Sequence, residues 1–98
     1  MGYNLIMIRS FTNRGLEDFF YDGTLRGIRP DHARRLGLLL DRLNAAGDVK
    51  DMNFPGSSLH PLKGNRKGIW AVKVSGNWRV TFHFESGDAS VVDYEDYH

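Results

Sequence analysis

A loop motif, Leu59-His60-Pro61-Leu62-Lys63-Gly64, a strand-like Asn77-Trp78-Arg79 and a terminal Tyr94-Glu95-Asp96-Tyr97-His98 crowd cations, imidazoles and phenols into the C-terminal part of this chain. Cleaving a phosphodiester from its own 2′-hydroxyl needs a base for that hydroxyl and an acid for the leaving 5′-oxygen. It also needs positive charge where the phosphorane gathers negative charge. Lys63 and Arg79 supply the charge, arginine as a bidentate phosphate ligand and lysine as a mobile point charge. His60, Tyr97 and His98 supply proton transfer. Only histidine titrates near neutrality unaided, so a tyrosine base needs flanking cations to lower its pKa. RNA is the substrate this combination fits.

Each of these residues also has a plainer role. His60 before Pro61 suits a loop residue bonded to backbone, and Lys63-Gly64-Asn65-Arg66-Lys67 is a basic turn whatever its use. Trp70 and Trp78 sit among alternating apolar neighbours and read as packing. Tyr97-His98 is a chain end, where fraying is the rule, but its aromatic character argues for docking.

Other chemistries fail on spacing. Gly64-Asn65-Arg66-Lys67-Gly68 lacks the phosphate-loop spacing and a following helix. His60, His83 and His98 with Asp93 or Asp96 contain no helical i,i+4 pair, so neither a metal nor any other cofactor is expected. Serine, histidine and aspartate are present without a nucleophile elbow. Cysteine is absent, which removes disulfides and thiolate zinc sites. No apolar run is long enough to span a bilayer and no basic-then-apolar leader opens the chain, so the expected location is the cytoplasm, with no membrane partner.

A net charge of +1 says little, but its distribution says more. Residues 52–84 contain no Asp or Glu, while Lys63, Arg66, Lys67, Lys73 and Arg79 all fall there. Acids return at Glu85, Asp88, Asp93, Glu95 and Asp96. Such segregation can build a positive surface suited to a polyanion, with Arg66, Lys67 and Lys73 as RNA-binding groups around the chemical ones. It also fits a solvated β-surface with interspersed lysines.

The elements that must position these groups follow from periodicity. At 98 residues the chain is expected to be one domain, with residues 1–6 a possible extension before Met7. Residues 6–11 read as a short strand. Asn13 offers an N-cap for a brief helix through Leu16, Phe19 and Phe20, ended by Gly23. Pro30 and Asp31 open a second helix. There Ala33, Leu36, Leu39, Leu40 and Leu43 mark one buried face, the end falls near Ala46 with Gly47 as cap, and Arg34, Arg35, Asp41 and Arg42 form a solvated face. Residues 48–58 read as loop with one helical turn.

The period then becomes two. Ile69–Ser75, Trp78–Glu85 and residues 89–94 form a meander joined by Gly76-Asn77 and Ser86-Gly87-Asp88. A two-residue type II′ loop at Gly76-Asn77 sets Trp78 opposite Ser75 and Arg79 opposite Val74. Trp78, Val80, Phe82 and Phe84 then face the helices, and Arg79, Thr81 and His83 face outward. The fold class is α+β: N-terminal helices packed on a mainly antiparallel sheet with a C-terminal three-stranded meander.

Four blocks in order, Met7-Ile8-Arg9-Ser10-Phe11, Leu59-His60-Pro61-Leu62-Lys63-Gly64, Asn77-Trp78-Arg79-Val80-Thr81-Phe82 and Asp93-Tyr94-Glu95-Asp96-Tyr97-His98, closely resemble the HigB toxins of the RelE superfamily, across residues 7–98. The resemblance implies the compact RelE-like fold and a bacterial type II toxin. Such a toxin is an endoribonuclease that cuts mRNA in the ribosomal A site and is held inactive by a HigA-like helix-turn-helix antitoxin. Carried over by position, it implies His60, Lys63, Arg79, Asp96, Tyr97 and His98 as the catalytic cluster, and adds Asp96 to the list drawn from chemistry. Residues 22–54 match in pattern only, so antitoxin contacts are not assigned there. The reading from another class is a non-catalytic RNA-binding or regulatory module using Lys63, Arg66, Lys67 and Arg79 as phosphate contacts. A third, an inactive scaffold sequestered by a partner, implies no growth arrest.

Overall fold

The computed structural model describes residues 8–97 as two helices packed on one face of a four-stranded antiparallel sheet. The first helix, α1 (Arg14–Asp22), begins where the Asn13 side chain accepts the Leu16 N–H at 2.8 Å. It stops at Gly23, whose φ of 74° closes a left-handed cap with its N–H on the Phe19 carbonyl. The Asn13 amide also donates to the Tyr94 carbonyl, which ties the helix start to the last strand.

A 3-10 turn, Pro30–His32, leads into α2 (Ala33–Ala45), which buries Leu36, Leu39, Leu40 and Leu43 as the periodicity requires. Gly47 is not its cap. The buried Ala46 leaves in extended conformation, and Gly47 and Asp48 instead donate their N–H groups to the Asp51 carboxylate. That reciprocal capping box starts the single 3-10 turn Val49–Met52, the one turn expected in this loop. Arg35 also departs from the solvated role read for it. Its guanidinium donates to the carbonyls of Gly56 and Lys73 and holds α2 to the sheet.

The sheet runs β1 (His60–Pro61), β2 (Ile69–Ser75), β3 (Trp78–Glu85) and β4 (Asp88–Asp96) in spatial order. The meander was legible in sequence, whereas β1 was hidden inside the loop motif. Ser75 faces Trp78 across the hairpin as expected, but Arg79 pairs with Lys73 rather than Val74. Val74 is the extra residue of a bulge, buried at the core, and the bulge sets Lys73 in its place beside Arg79. Among the described residues, the expected strand at 6–11 survives as two isolated parallel bridges, Ile8 to Ala89 and Phe11 to Val92. A second bulge explains this: Val91 sits at φ 47°, and its N–H goes to the Ser10 hydroxyl instead of a ladder carbonyl. Trp78, Val80, Phe82 and Phe84 pack toward the helices, with Leu16, Leu39, Leu43, Met52, Val72 and Val92 completing the core. The other face of the sheet is open apart from its centre, where Ala71 and Thr81 are buried.

Candidate active site

Alternation along the strands decides what the open face carries. Register places His60, Ala71, Thr81 and Asp93 in one crosswise row and Lys73, Arg79 and Glu95 in the next. Tyr97 continues the outward set of β4 and donates its N–H to the Asn77 carbonyl at 2.8 Å, closing the strand end onto the hairpin turn. Neighbouring strands lie about 4.8 Å apart and alternate residues about 6.8 Å, so His60 and Arg79 backbones are separated by about 12 Å. Two long side chains can meet around one phosphate across that span.

His60 is half-buried and its Nδ1 lies 2.9 Å from the Ser58 carbonyl. A carbonyl only accepts, so Nδ1 carries the proton and the lone pair of the neutral ring is on Nε2. Ser58 reaches this position with φ at 50°. Lys63 is exposed and precedes a 3-10 turn, Gly64–Arg66, in which the Arg66 N–H donates to the Lys63 carbonyl.

Arg79 folds back on its own hairpin, its Nη1 donating to the carbonyls of Gly76 at 2.7 Å and Trp78 at 3.0 Å. Its guanidinium lies 5.3 Å from the centre of the Tyr97 ring. Among the described residues, Arg79 Nε and the Tyr97 hydroxyl are the buried side-chain polar atoms without a hydrogen-bond partner. They belong to two side chains in contact. Orphaned polar atoms of this kind are uncommon in folded proteins.

Behind this pair the sheet is braced. The Trp78 ring stacks at 4.6 Å on Tyr94 and meets the edge of buried His32 at 5.5 Å. The Tyr94 hydroxyl accepts the Arg29 N–H and shares a 2.6 Å hydrogen bond with His32 Nδ1. Burial pushes the Tyr94 phenol above its ordinary pKa, so it stays neutral. Sequence reasoning passed over His32, whose surroundings come from elements far apart in the chain.

The remaining sequence-derived residues divide. Lys73 lies in the Arg79 row, half-buried, and Lys67 is exposed at the end of the 3-10 turn. Asp96 pairs with Trp78 and so belongs to the other side of the sheet from Tyr97, exposed, where its charge acts on Arg29. His98 and residues 1–6 lie outside the described residues. Arg66 is not a bare cation on the surface. Its two terminal nitrogens grip Glu95 at 3.0 and 2.7 Å, and the same carboxylate accepts the Thr81 hydroxyl at 3.1 Å. Arg66 holds the Glu95 carboxyl below its ordinary pKa, with Thr81 adding to the effect against partial burial.

Folding partly offsets the charge segregation along the chain. Antiparallel pairing sets Asp93 beside Thr81 and Glu95 beside Arg79, and Glu95 takes Arg66. Sequence reasoning missed Glu95 and Thr81. The signal available was alternation, since Asp93, Glu95 and Tyr97 share a face once β4 is recognised. Among the described residues no cluster of His, Cys, Asp or Glu could hold a metal ion, and no helix is long and apolar enough to cross a membrane.

Comparison with known proteins adds two findings. The sequence profile of a family described as the RelE-like toxin of type II toxin-antitoxin system HigB matches residues 9–98. Endoribonuclease HigB of Proteus vulgaris is similar to this chain, 40% identical over 92 residues that cover 94% of this chain and 100% of that protein.

Proposed function

The chain belongs to the RelE-like HigB toxins of type II toxin-antitoxin systems, and from that premise we propose that it is a single-domain endoribonuclease that cuts mRNA in the A site of cytoplasmic ribosomes. As a type II toxin it has an antitoxin partner. In this reading the antitoxin is a HigA-like helix-turn-helix protein.

The open face supports the reading by what it offers a phosphate. The Tyr97 hydroxyl and Arg79 Nε want partners, and the hydrogen bonds that hold Arg79 to the turn go to neutral carbonyls. Hydrogen bonds to an anionic phosphate oxygen are roughly twice as strong as those to neutral acceptors, so a phosphate can draw Arg79 off the turn. Lys63 and Arg79 then stabilise the phosphorane, and His98 or Tyr97 takes the 2′-hydroxyl proton. His60 moves or positions a proton through Nε2. Asp96 steadies the strand end from the opposite side against Arg29. Lys67 and Lys73 grip flanking phosphates. The products are a 2′,3′-cyclic phosphate and a 5′-hydroxyl, and no step calls for a metal. Ribosome dependence fits a modest set of bases, because substrate held in attack geometry by a partner lowers the barrier the enzyme alone cannot.

Alanine at Lys63, Arg79 or His98 should each relieve growth arrest on expression, with cut mRNA ends mapping inside translated codons of wild-type cells. Three variants as toxic as wild type would refute the assignment. Gel shifts without cleavage would instead favour an RNA-binding module.

A further inference from the structure

Arg66 stood in the sequence among the phosphate-binding cations, yet its side chain is already committed. It leaves the 3-10 turn that follows Lys63, crosses the open face and ends in a two-pronged bond to Glu95 on β4, with Thr81 of β3 on the same carboxylate. Glu95 stands directly opposite Arg79 and two residues before Tyr97. The Arg66 backbone N–H, in turn, bonds the Lys63 carbonyl. One ion pair thus joins the loop that carries Lys63 to the strands that carry Arg79 and Tyr97.

Apart from this pair the loop is closed by backbone bonds, Leu62 N–H to the Ile69 carbonyl at 2.8 Å and Lys67 N–H to the Gly64 carbonyl at 3.2 Å. β1 is only two residues long, Gly64 takes φ at 69°, and residues 63–65 are exposed. An exposed ion pair contributes little to stability in general, but a bidentate arginine fork fixes direction as well as distance. Its value here is geometric.

We propose that Arg66 and Glu95 are positioning residues for RNA cleavage, a clamp that sets Lys63 against Arg79 and Tyr97 and does not itself hold the substrate phosphate. The inference rests on the endoribonuclease reading above and adds to it a role for Glu95. It also removes Arg66 from the RNA-binding set. Misplacing a reacting group by about 1 Å costs about a hundredfold in rate, so a broken clamp should slow the chemical step and leave binding alone.

The test measures cleavage of a defined mRNA on programmed ribosomes at increasing ribosome concentration, using the full chain. Glu95→Gln and Arg66→Gln should each lower the saturated rate by about ten- to a hundredfold with half-saturation within about threefold of wild type. The exchanged pair, Arg66→Glu with Glu95→Arg, should recover at least about fivefold over either single variant, which general destabilisation would not produce. Circular dichroism checks folding. Should Glu95→Gln fail to fold, the half-exposed Arg66→Gln decides alone. An unchanged saturated rate in a folded Arg66→Gln overturns the clamp, and so does a rise of about tenfold or more in half-saturation at unchanged rate, which is the mark of a direct phosphate contact. A wild-type protein that does not cleave at all refutes the endoribonuclease reading instead.

Discussion

Replacing Tyr97 by Phe should make the free protein more stable and the enzyme worse. The Tyr97 hydroxyl is buried and lacks a partner among the described residues, while its ring supports the Arg79 guanidinium at 5.3 Å. Phenylalanine keeps the ring and its cation–π contact and deletes only the orphaned group. An unsatisfied buried polar group costs about 1–3 kcal/mol. Tyr97 as a whole is half-buried, so the lower end applies, a gain of about 1 kcal/mol. For a domain of this size that raises the thermal midpoint by about 4–8 °C. Cleavage should fall by about a hundredfold or more, the scale of losing a positioned proton-transfer group. Thermal unfolding followed by circular dichroism, beside cleavage on programmed ribosomes, reads both quantities on one preparation. Tyr97→Ala is the contrast, since it also removes the ring and should lower the midpoint. A Phe variant that melts below wild type would show that the hydroxyl is satisfied in the free protein. One that melts higher and cleaves at the wild-type rate would remove the hydroxyl from the reaction.

Further outcomes test the scaffold. A Cβ at Gly15 would lie 2.5 Å from the Gly27 carbonyl oxygen and 2.7 Å from the Gly27 Cα, backbone that cannot swing aside. Gly15→Ala should therefore cost about 2 kcal/mol despite a better helix former. Gly37→Ala, with its nearest neighbour Phe19 at 3.9 Å, should gain up to about 1 kcal/mol in the same denaturant titration. Val91 holds a left-handed φ of 47° in a residue 45% exposed, so Val91→Gly should stabilise by about 0.5–1 kcal/mol, and a loss of stability there would deny the strain. Glu95 has its pKa lowered by Arg66, so the pair adds stability that is complete above the unfolded carboxylate value and is lost as pH falls through the lower folded value. Urea midpoints should accordingly drop less for Glu95→Gln than for wild type between about pH 6 and about pH 3.

Local chemistry made much of this protein readable in one dimension. Asn13 and Gly23 bound α1 because a cap bonds to its own neighbours, and the leucines of α2 mark a buried face through a period the helix itself imposes. The hairpin turn at Gly76 and the alternation of β3 likewise placed Arg79 on the outer face without reference to any partner. What stayed hidden depended on residues far apart in sequence. The bulge at Val74 sets the pairing of Arg79, and β1 exists only because β2 offers it an edge. Asp96 and Tyr97 are neighbours in the chain yet belong to opposite sides of the sheet. Arg66 looked like a free cation until Glu95, 29 positions away, closed on it. Composition and period fix which residues can bury or bond, but an ion pair between strangers in sequence forms only when the sheet brings them within hydrogen-bond reach.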